Sequence, residues 1–167
     1  MFEKLKAFFS KVFFMSEEEY EEALSKYAAK FQLQQKWVIQ VVEKLPDVQT
    51  NYSNKDEVLG FTDWVSHKVV FKHALINKPK FLVRAFIRHE LRHCQQMEWM
   101  NVKMKEKYGG DLANIYTQIL IAGDNIKGYN KSLMEQDAWL AFCGIYINIE
   151  KVVNRIIKRN AKLLLEE

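Results

Sequence analysis

One short segment of the sequence, His89-Glu90-Leu91-Arg92-His93, has residue types and a spacing that can do chemistry. It follows the pattern H-E-x-x-H and is predicted to lie in a helix. Residues four apart in a helix lie on the same face, so the two imidazoles can bind one Zn²⁺. Glu90 can then take a proton from a water molecule that the metal activates. The competing interpretation is a pair of core histidines that are satisfied by hydrogen bonds.

A catalytic zinc site needs a third protein ligand, with one position left open for water. No histidine follows His93, and Trp99 and Lys103 stand at the positions where a longer histidine motif would continue. A downstream carboxylate is therefore expected. The candidates are Glu98, Glu106, Asp111, Asp124, Glu135, Asp137 and Glu150.

We favour Glu135 as the third ligand, because it lies near the start of a second long helix that can cross the motif helix. Asp137 is then close enough to orient a histidine N–H from outside the ligand set. Ser132 with Glu135 also matches a capping box, which leaves an alternative open. In that alternative Glu135 binds a backbone N–H and Asp137 binds the metal.

The composition favours one mainly helical domain with a small β hairpin. The chain has 167 residues, of which 49% are hydrophobic, with only 6 Gly and 2 Pro. This hydrophobic fraction is large enough to form a core and excludes global disorder. The net charge of +4 gives no strong signal for nucleic-acid binding. Cys94 and Cys143 cannot make a disulfide framework, and both are expected to be reduced, small apolar residues.

The elements follow from caps, breakers and periodicity. Ser16 and Glu19 form a capping box, and a helix is predicted over Glu17–Leu45. A hairpin is predicted from two β-like runs, and three further helical regions are predicted from their spacing. The hairpin strands are Val58–Val65 and Val69–Leu75, and the helices are Phe81–Met104, Leu112–Ala122 and Ser132–Leu165, the last with a break near Asn148.

The first 15 residues are predicted to form an arm that precedes a domain of residues 16–167. Met1–Met15 reads as a short basic amphipathic helix that packs on its own domain, or docks on a partner or a membrane surface. Lysines interrupt its apolar run, so no cleaved signal is expected. No apolar run in the chain reaches the roughly 18 residues of a membrane span, and no transmembrane segment is expected.

The segment from about residue 60 to residue 144 resembles the small zinc metallopeptidases of the gluzincin type. In that family a strand or hairpin precedes the H-E-x-x-H helix, and a later E-x-x-A-like element, often after a tyrosine, supplies a glutamate ligand. Here the element is Glu135-Gln136-Asp137-Ala138, and it follows Tyr129. The resemblance implies a minimal zincin-like fold in which His89, His93 and Glu135 bind zinc. It also implies that Glu90 is the general base and that the edge strand of the hairpin pairs with an extended peptide.

The sequence departs from one branch of that family. Thermolysin-like enzymes carry an aspartate four residues after the glutamate ligand, and Trp139 stands there in this chain. A minimal, divergent member is therefore expected. The tetrahedral oxyanion usually needs a donor besides the metal, and Tyr129 is the candidate we carry forward. The other possible donors, each more simply structural, are Tyr116, His67 and His73.

Further features have simple structural interpretations. Arg84, Arg88 and Arg92 are predicted to form a solvated stripe on the motif helix. The basic C-terminal helix is predicted to pack its apolar residues on the domain or on a partner. The four tryptophans, Trp37, Trp64, Trp99 and Trp139, are predicted to lie in the core.

Together these observations predict a zinc metallopeptidase that acts on a peptide or protein substrate. Small proteins of this pattern are common in bacteria and their phages, and a cytoplasmic location is expected, or the virion or host cytoplasm for a phage protein. One alternative is a structural or interaction protein, such as a virion-associated component, that docks through its N-terminal arm. Another is a metal-bearing binding module without turnover.

Overall fold

The computed structural model describes residues 14–45, 59–63, 66–110 and 133–165. In these residues the protein is mainly helical with a small three-stranded sheet, which confirms the predicted fold class. The helices are α1 (Glu17–Lys30), α2 (Lys80–Glu98), α3 (Met104–Tyr108), α4 (Leu133–Phe142) and α5 (Ile149–Leu165). The strands are β1 (Val38–Val42), β2 (Gly60–Asp63) and β3 (Lys68–Lys72).

The sheet has the strand order β1-β3-β2. Strands β2 and β3 pair antiparallel, which confirms the predicted hairpin, and β1 pairs parallel with β3. Gly60 lies opposite Phe71, and a Cβ atom added there would come within 2.9 Å of the Phe71 ring. A glycine at this position lets the ring lie close to the strand backbone.

The prediction of one helix from Glu17 to Leu45 is wrong at its C-terminal end. Helix α1 ends at Lys30, and Gln32 takes a positive φ of 53°, which a continuing right-handed helix cannot accommodate. The following Val38–Val42 pairs with β3 instead. Four of its five residues are β-branched, a composition that favours a strand, although their spacing also fits a helical stripe.

A buried carboxylate holds the connection between α1 and β1. Glu98, at the end of α2, accepts hydrogen bonds from the backbone N–H groups of Gln34 (2.6 Å) and Gln35 (2.8 Å). It also accepts one from Trp37 Nε1 at 2.7 Å. The backbone N–H groups of this connection are therefore satisfied by a residue more than sixty positions away.

Glu98→Gln is expected to lower the free energy of unfolding by about 2–4 kcal/mol, because three hydrogen bonds to a buried charged acceptor are weakened together. Urea denaturation followed by circular dichroism measures the change. Glu106→Gln is the matched control, since this glutamate is exposed on α3, and its effect should stay within about 0.5 kcal/mol. Equal stability of the two variants would contradict the structural role of Glu98.

Two apolar clusters make up the core of the described residues. The larger one joins α1, the sheet and α2, and the smaller one joins α2, α4 and α5 near the C-terminal end of α2. Helix α5 buries four apolar residues in the smaller cluster: Val152, Val153, Ile156 and Ile157. It therefore packs on the domain, which was one of the two predicted arrangements for this helix. In the part of the chain that the structure describes, every helix is too short or too polar to cross a bilayer.

The motif helix begins and ends close to the predicted residues. Helix α2 starts after Pro79 and continues past Glu98 through a π-helical segment, Trp99–Lys103, into α3. The predicted break near Asn148 is confirmed, because α4 ends at Phe142 and α5 begins at Ile149. Gly144, with φ 84°, ends α4 by donating to the Ala141 carbonyl, as a glycine in a Schellman motif does.

Two side chains are placed differently from their predictions. Cys143 is exposed in the turn after α4, whereas Cys94 is buried as predicted, and burial raises the pKa of its thiol. Trp139 is 45% exposed and is not a core residue. Trp64 and the predicted helix over Leu112–Ala122 lie outside the described residues, as does most of the N-terminal arm.

The predicted solvated arginine stripe is wrong for two of its three members. Arg88 donates to the carbonyls of Ala141 and Phe142 at the C-terminal end of α4. Arg92 is buried, with 2% of its surface exposed. Only Arg84 is exposed. The partly buried guanidinium of Arg88 and the buried one of Arg92 connect α2 to the region around α4, which sequence spacing on α2 does not reveal.

Candidate metal centre

Two helices bring the three predicted ligands together. His89 and His93 lie one turn apart on α2, and Glu135 comes from the first turn of α4, which packs along α2. All three residues are buried, and their ligand atoms lie within 4.8 Å of one another. We call these three residues the ligand triad. They form a group that could hold a metal ion.

The spacing of the two imidazoles fits a tetrahedral metal. His89 Nε2 lies 3.3 Å from His93 Nε2, Glu135 Oε2 lies 3.4 Å from His89 Nε2, and Glu135 Oε1 lies 3.1 Å from His93 Nε2. A tetrahedron with metal–ligand bonds of about 2.0–2.1 Å separates its ligand atoms by roughly 3.3–3.4 Å. Two imidazole nitrogens and a carboxylate are also a donor set that zinc accepts.

A hydrogen-bond chain fixes the orientation of His93. Gln96 uses its amide nitrogen to donate to the Met134 carbonyl (3.1 Å) and to Asp137 Oδ2 (2.8 Å). Its amide oxygen must therefore be the atom that faces His93 Nδ1, at 2.9 Å. Nδ1 then carries a hydrogen and donates it, which leaves Nε2 directed at the other two members of the triad.

Asp137 was predicted to orient a histidine N–H directly, but in the structure it contacts Gln96, which in turn contacts His93. Its carboxylate accepts two hydrogen bonds from Arg92, at 2.6 Å and 3.0 Å, in addition to the one from Gln96. Gln96, which the sequence analysis did not assign to the site, makes the contact with the imidazole. Among the described residues no hydrogen-bond partner reaches His89 Nδ1, and the indole of Trp139 packs against that ring instead.

The predicted general base is buried beside the triad. Glu90 follows His89 on α2, and its Oε2 accepts a hydrogen bond from the Thr62 hydroxyl at 3.0 Å. Its negative charge contributes to raising the pKa of His93, so the two groups lie within electrostatic reach of each other. Thr62 belongs to β2, and this contact joins the strand to the motif helix.

Burial and the neighbouring charged and polar groups shift the pKa values of His93 and Glu135. Burial lowers the pKa of His93, but the charge and hydrogen bond of Glu135, with Glu90 and Gln96, raise it to about 9. Burial raises the pKa of Glu135, but the neighbouring imidazoles lower it to about 2. Without a metal, the triad is therefore a buried ion pair over a wide range of pH.

The sign of the pH dependence follows from these values. The raised pKa of His93 gives a stabilisation that is complete below pH 6.5 and is lost as the pH rises through about 9. The lowered pKa of Glu135 gives one that is present above pH 4.5 and is lost as the pH falls toward 2. The ion pair should therefore stabilise the metal-free protein most between pH 4.5 and 6.5.

Zinc binding is expected to release about one proton at pH 7, because a bound imidazole must be neutral and His93 is protonated in the metal-free pair. Isothermal titration calorimetry in two buffers of different ionisation enthalpy measures this number. Apparent affinity should rise with pH up to about pH 9. A binding enthalpy that is the same in both buffers would contradict the protonated pair.

The remaining predicted residues divide into two groups. Tyr129 and Tyr116 lie outside the described residues, and so does Ser132, whose capping role was the alternative for Glu135. His67 packs against the Trp37 ring, and His73 lies 3.7 Å from two exposed carboxylates, those of Glu17 and Glu43. The described contacts of these two histidines are thus with residues other than the triad.

Four residues around the triad were not assigned to the site from the sequence: Thr62, Arg92, Gln96 and Trp139. Helical spacing gave a signal for two of them, because Gln96 lies three residues after His93 and Trp139 lies four residues after Glu135. Thr62 and Arg92 reach the site through contacts between separate elements. In comparisons with known proteins, no family model, no curated protein and no solved structure matches this chain.

Proposed function

We propose that this protein is a zinc-dependent metallopeptidase of the gluzincin type. The observation that carries the proposal is the buried ligand triad, whose ligand atoms lie within 4.8 Å of one another and whose two imidazole nitrogens are 3.3 Å apart, the ligand separation of a tetrahedral zinc site. Three protein ligands are also the number that catalytic zinc sites use, whereas structural sites usually have four.

His89, His93 and Glu135 would hold the ion. A zinc ion held there would polarise the scissile carbonyl and acidify a water molecule. The chain itself supplies the orientation of His93 through Gln96, and it supplies a buried ion pair, Arg92 with Asp137, that anchors Gln96. This support keeps the ligands in one arrangement, as hydrolysis requires.

Glu90 is the general base in this proposal. It would accept the proton of the attacking water and deliver it to the leaving amine of the substrate. The Thr62 hydroxyl holds one carboxylate oxygen, Oε2, and thereby fixes the direction of the other. A carboxylate that is held through one oxygen suits a group that must take up and release one proton through the other.

The position of β2 supports a peptide or protein as the substrate. Among the described strands, β2 pairs on one side only, with β3, and its Thr62 contacts Glu90. An extended peptide that paired with such an edge would run beside the general base. We place the enzyme in the cytoplasm, where the free thiols of Cys94 and Cys143 would persist.

The test combines metal analysis with a degradation assay. Purified protein is expected to contain about one zinc per chain, and to cleave members of a broad peptide library only when the metal is present. Chelation should abolish cleavage, and added zinc should restore it. A protein that binds no zinc, or that binds one zinc and cleaves nothing in the library, contradicts the proposal. The second result would instead indicate a metal-bearing binding module.

A further inference from the structure

An exposed indole lies directly against the ligand triad. Trp139 follows Glu135 by one helical turn on α4, so both side chains leave the same face of that helix. The centroid of its ring lies 4.7 Å from that of His89, with the planes tilted by 57°. The side chain nevertheless keeps 45% of its surface exposed, although the imidazole beneath it is buried.

Trp139 is the outermost member of a row of aromatic rings. Its ring centroid lies 5.0 Å from that of Phe142, which in turn lies 5.4 Å from that of Phe86. Phe142 and Phe86 are half-buried. The row therefore gives Trp139 a packed, apolar support, while 45% of its surface remains exposed. A rigid aromatic surface of this kind favours apolar contacts at little cost in side-chain entropy.

The two sides of the triad differ in character. On the side of Glu90, Thr62 of the edge strand β2 donates its hydroxyl to the Glu90 carboxylate. On the side of His89, α4 brings Trp139 and its aromatic row. A peptide whose scissile carbonyl lay at the triad would have one of its neighbouring side chains within reach of the indole, because the indole contacts a ligand itself.

We infer that Trp139 forms the floor of a subsite for a large apolar side chain next to the scissile bond. The inference rests on the proposed peptidase function and names its substrate class: peptides with Leu, Met or Phe at that position. Apolar contact with the open indole would favour these over Ala by about 10- to 100-fold in kcat/KM, the usual size of discrimination in an apolar pocket.

The test uses pairs of peptides that differ only at the residues flanking the cleaved bond, with Phe, Leu or Ala there. Wild-type enzyme is expected to prefer Phe and Leu. Trp139→Ala should reduce that preference to less than about 3-fold. Trp139→Phe should restore most of the preference. Phe81→Ala is the matched control. Phe81 is an aromatic residue that is 72% exposed, and it lies on α2 about 12 Å along the helix axis from His89.

A second measurement follows binding without turnover. Zinc-loaded Glu90→Gln is titrated with the Phe and Ala peptides, and tryptophan emission is compared with that of Glu90→Gln combined with Trp139→Phe. The part of the signal that comes from Trp139 should shift to shorter wavelength with the Phe peptide and change little with the Ala peptide. An exposed indole that becomes covered by an apolar group gives this response.

The outcomes separate the inference from the function on which it rests. If Trp139→Ala slows cleavage of Phe and Ala peptides equally while zinc content is unchanged, the indole only supports His89, and the subsite is wrong but the peptidase stands. An emission change that is identical for both peptides also overturns the subsite. If Trp139→Ala loses zinc, the emission measurement decides, because it does not use that variant: a shift to shorter wavelength with the Phe peptide alone supports the subsite. A wild-type zinc protein that cleaves no peptide overturns both.

Discussion

Glu90→Gln is expected to lower kcat/KM for peptide hydrolysis by about 10²- to 10⁴-fold while the protein keeps its zinc. This range is the usual contribution of a general base. Glutamine has nearly the same shape and can still accept the hydrogen bond from Thr62, so the position of the side chain should be preserved. It cannot accept a proton, and so the loss should fall on the chemical step, with a small change in KM.

The control for this prediction is Glu106→Gln, a carboxylate on α3 that is exposed and paired with Lys103. Its kcat/KM should equal that of the wild type. Zinc content, measured by elemental analysis, should be about one per chain in both variants. Retention of full activity by Glu90→Gln would show that another group accepts the proton, and the assignment of Glu90 would then be wrong.

Glu135→Ala is expected to weaken zinc binding by more than about 100-fold, since even the residues that support metal ligands are worth 10- to 100-fold. Zinc per chain should fall from about one to near zero after dialysis against a weak chelator. The metal-dependent part of the stability should fall with it, by about 2.7 kcal/mol for a 100-fold loss of affinity when free zinc is 1,000 times the dissociation constant of the wild type. Thermal unfolding with and without zinc measures this part.

Glu150→Ala serves as the control, because this glutamate lies in the first turn of α5 and pairs with the exposed Lys107. It should bind zinc like the wild type. If Glu135→Ala binds zinc with unchanged affinity, a residue other than Glu135 is the third ligand. Asp137 would be a poor replacement, because Arg92 and Gln96 already occupy its carboxylate.

Local rules explain why the motif helix and the hairpin were predictable. The spacing of His89 and His93 is a property of one helix, and the structure gives that helix from Lys80 to Glu98. The hairpin depends on two neighbouring runs of strand-forming residues, and β2 and β3 pair as expected. Each of these features needs only contacts between residues close in the sequence, so patterns in the sequence determine them.

The end of α1 shows where such patterns fail. The spacing of apolar residues from Tyr20 to Val42 fits a helix throughout, but β1 pairs with β3, which lies about thirty residues later. The partner in the sheet and the carboxylate of Glu98 satisfy the backbone groups there. Tertiary partners therefore decided the structure of this segment against its own periodicity.

The sequence by itself determined the chemistry of the centre: two imidazoles on one helical face, a carboxylate beside them, and a shortage of histidines that requires an acidic third ligand. Only the tertiary structure decided the rest. The packing of α4 along α2 directs Glu135 at both imidazoles and places Asp137 on Arg92 and Gln96. It also sets Trp139 on His89. These contacts join residues some forty positions apart, and their geometry depends on how two helices cross, which the periodicity of either helix does not specify.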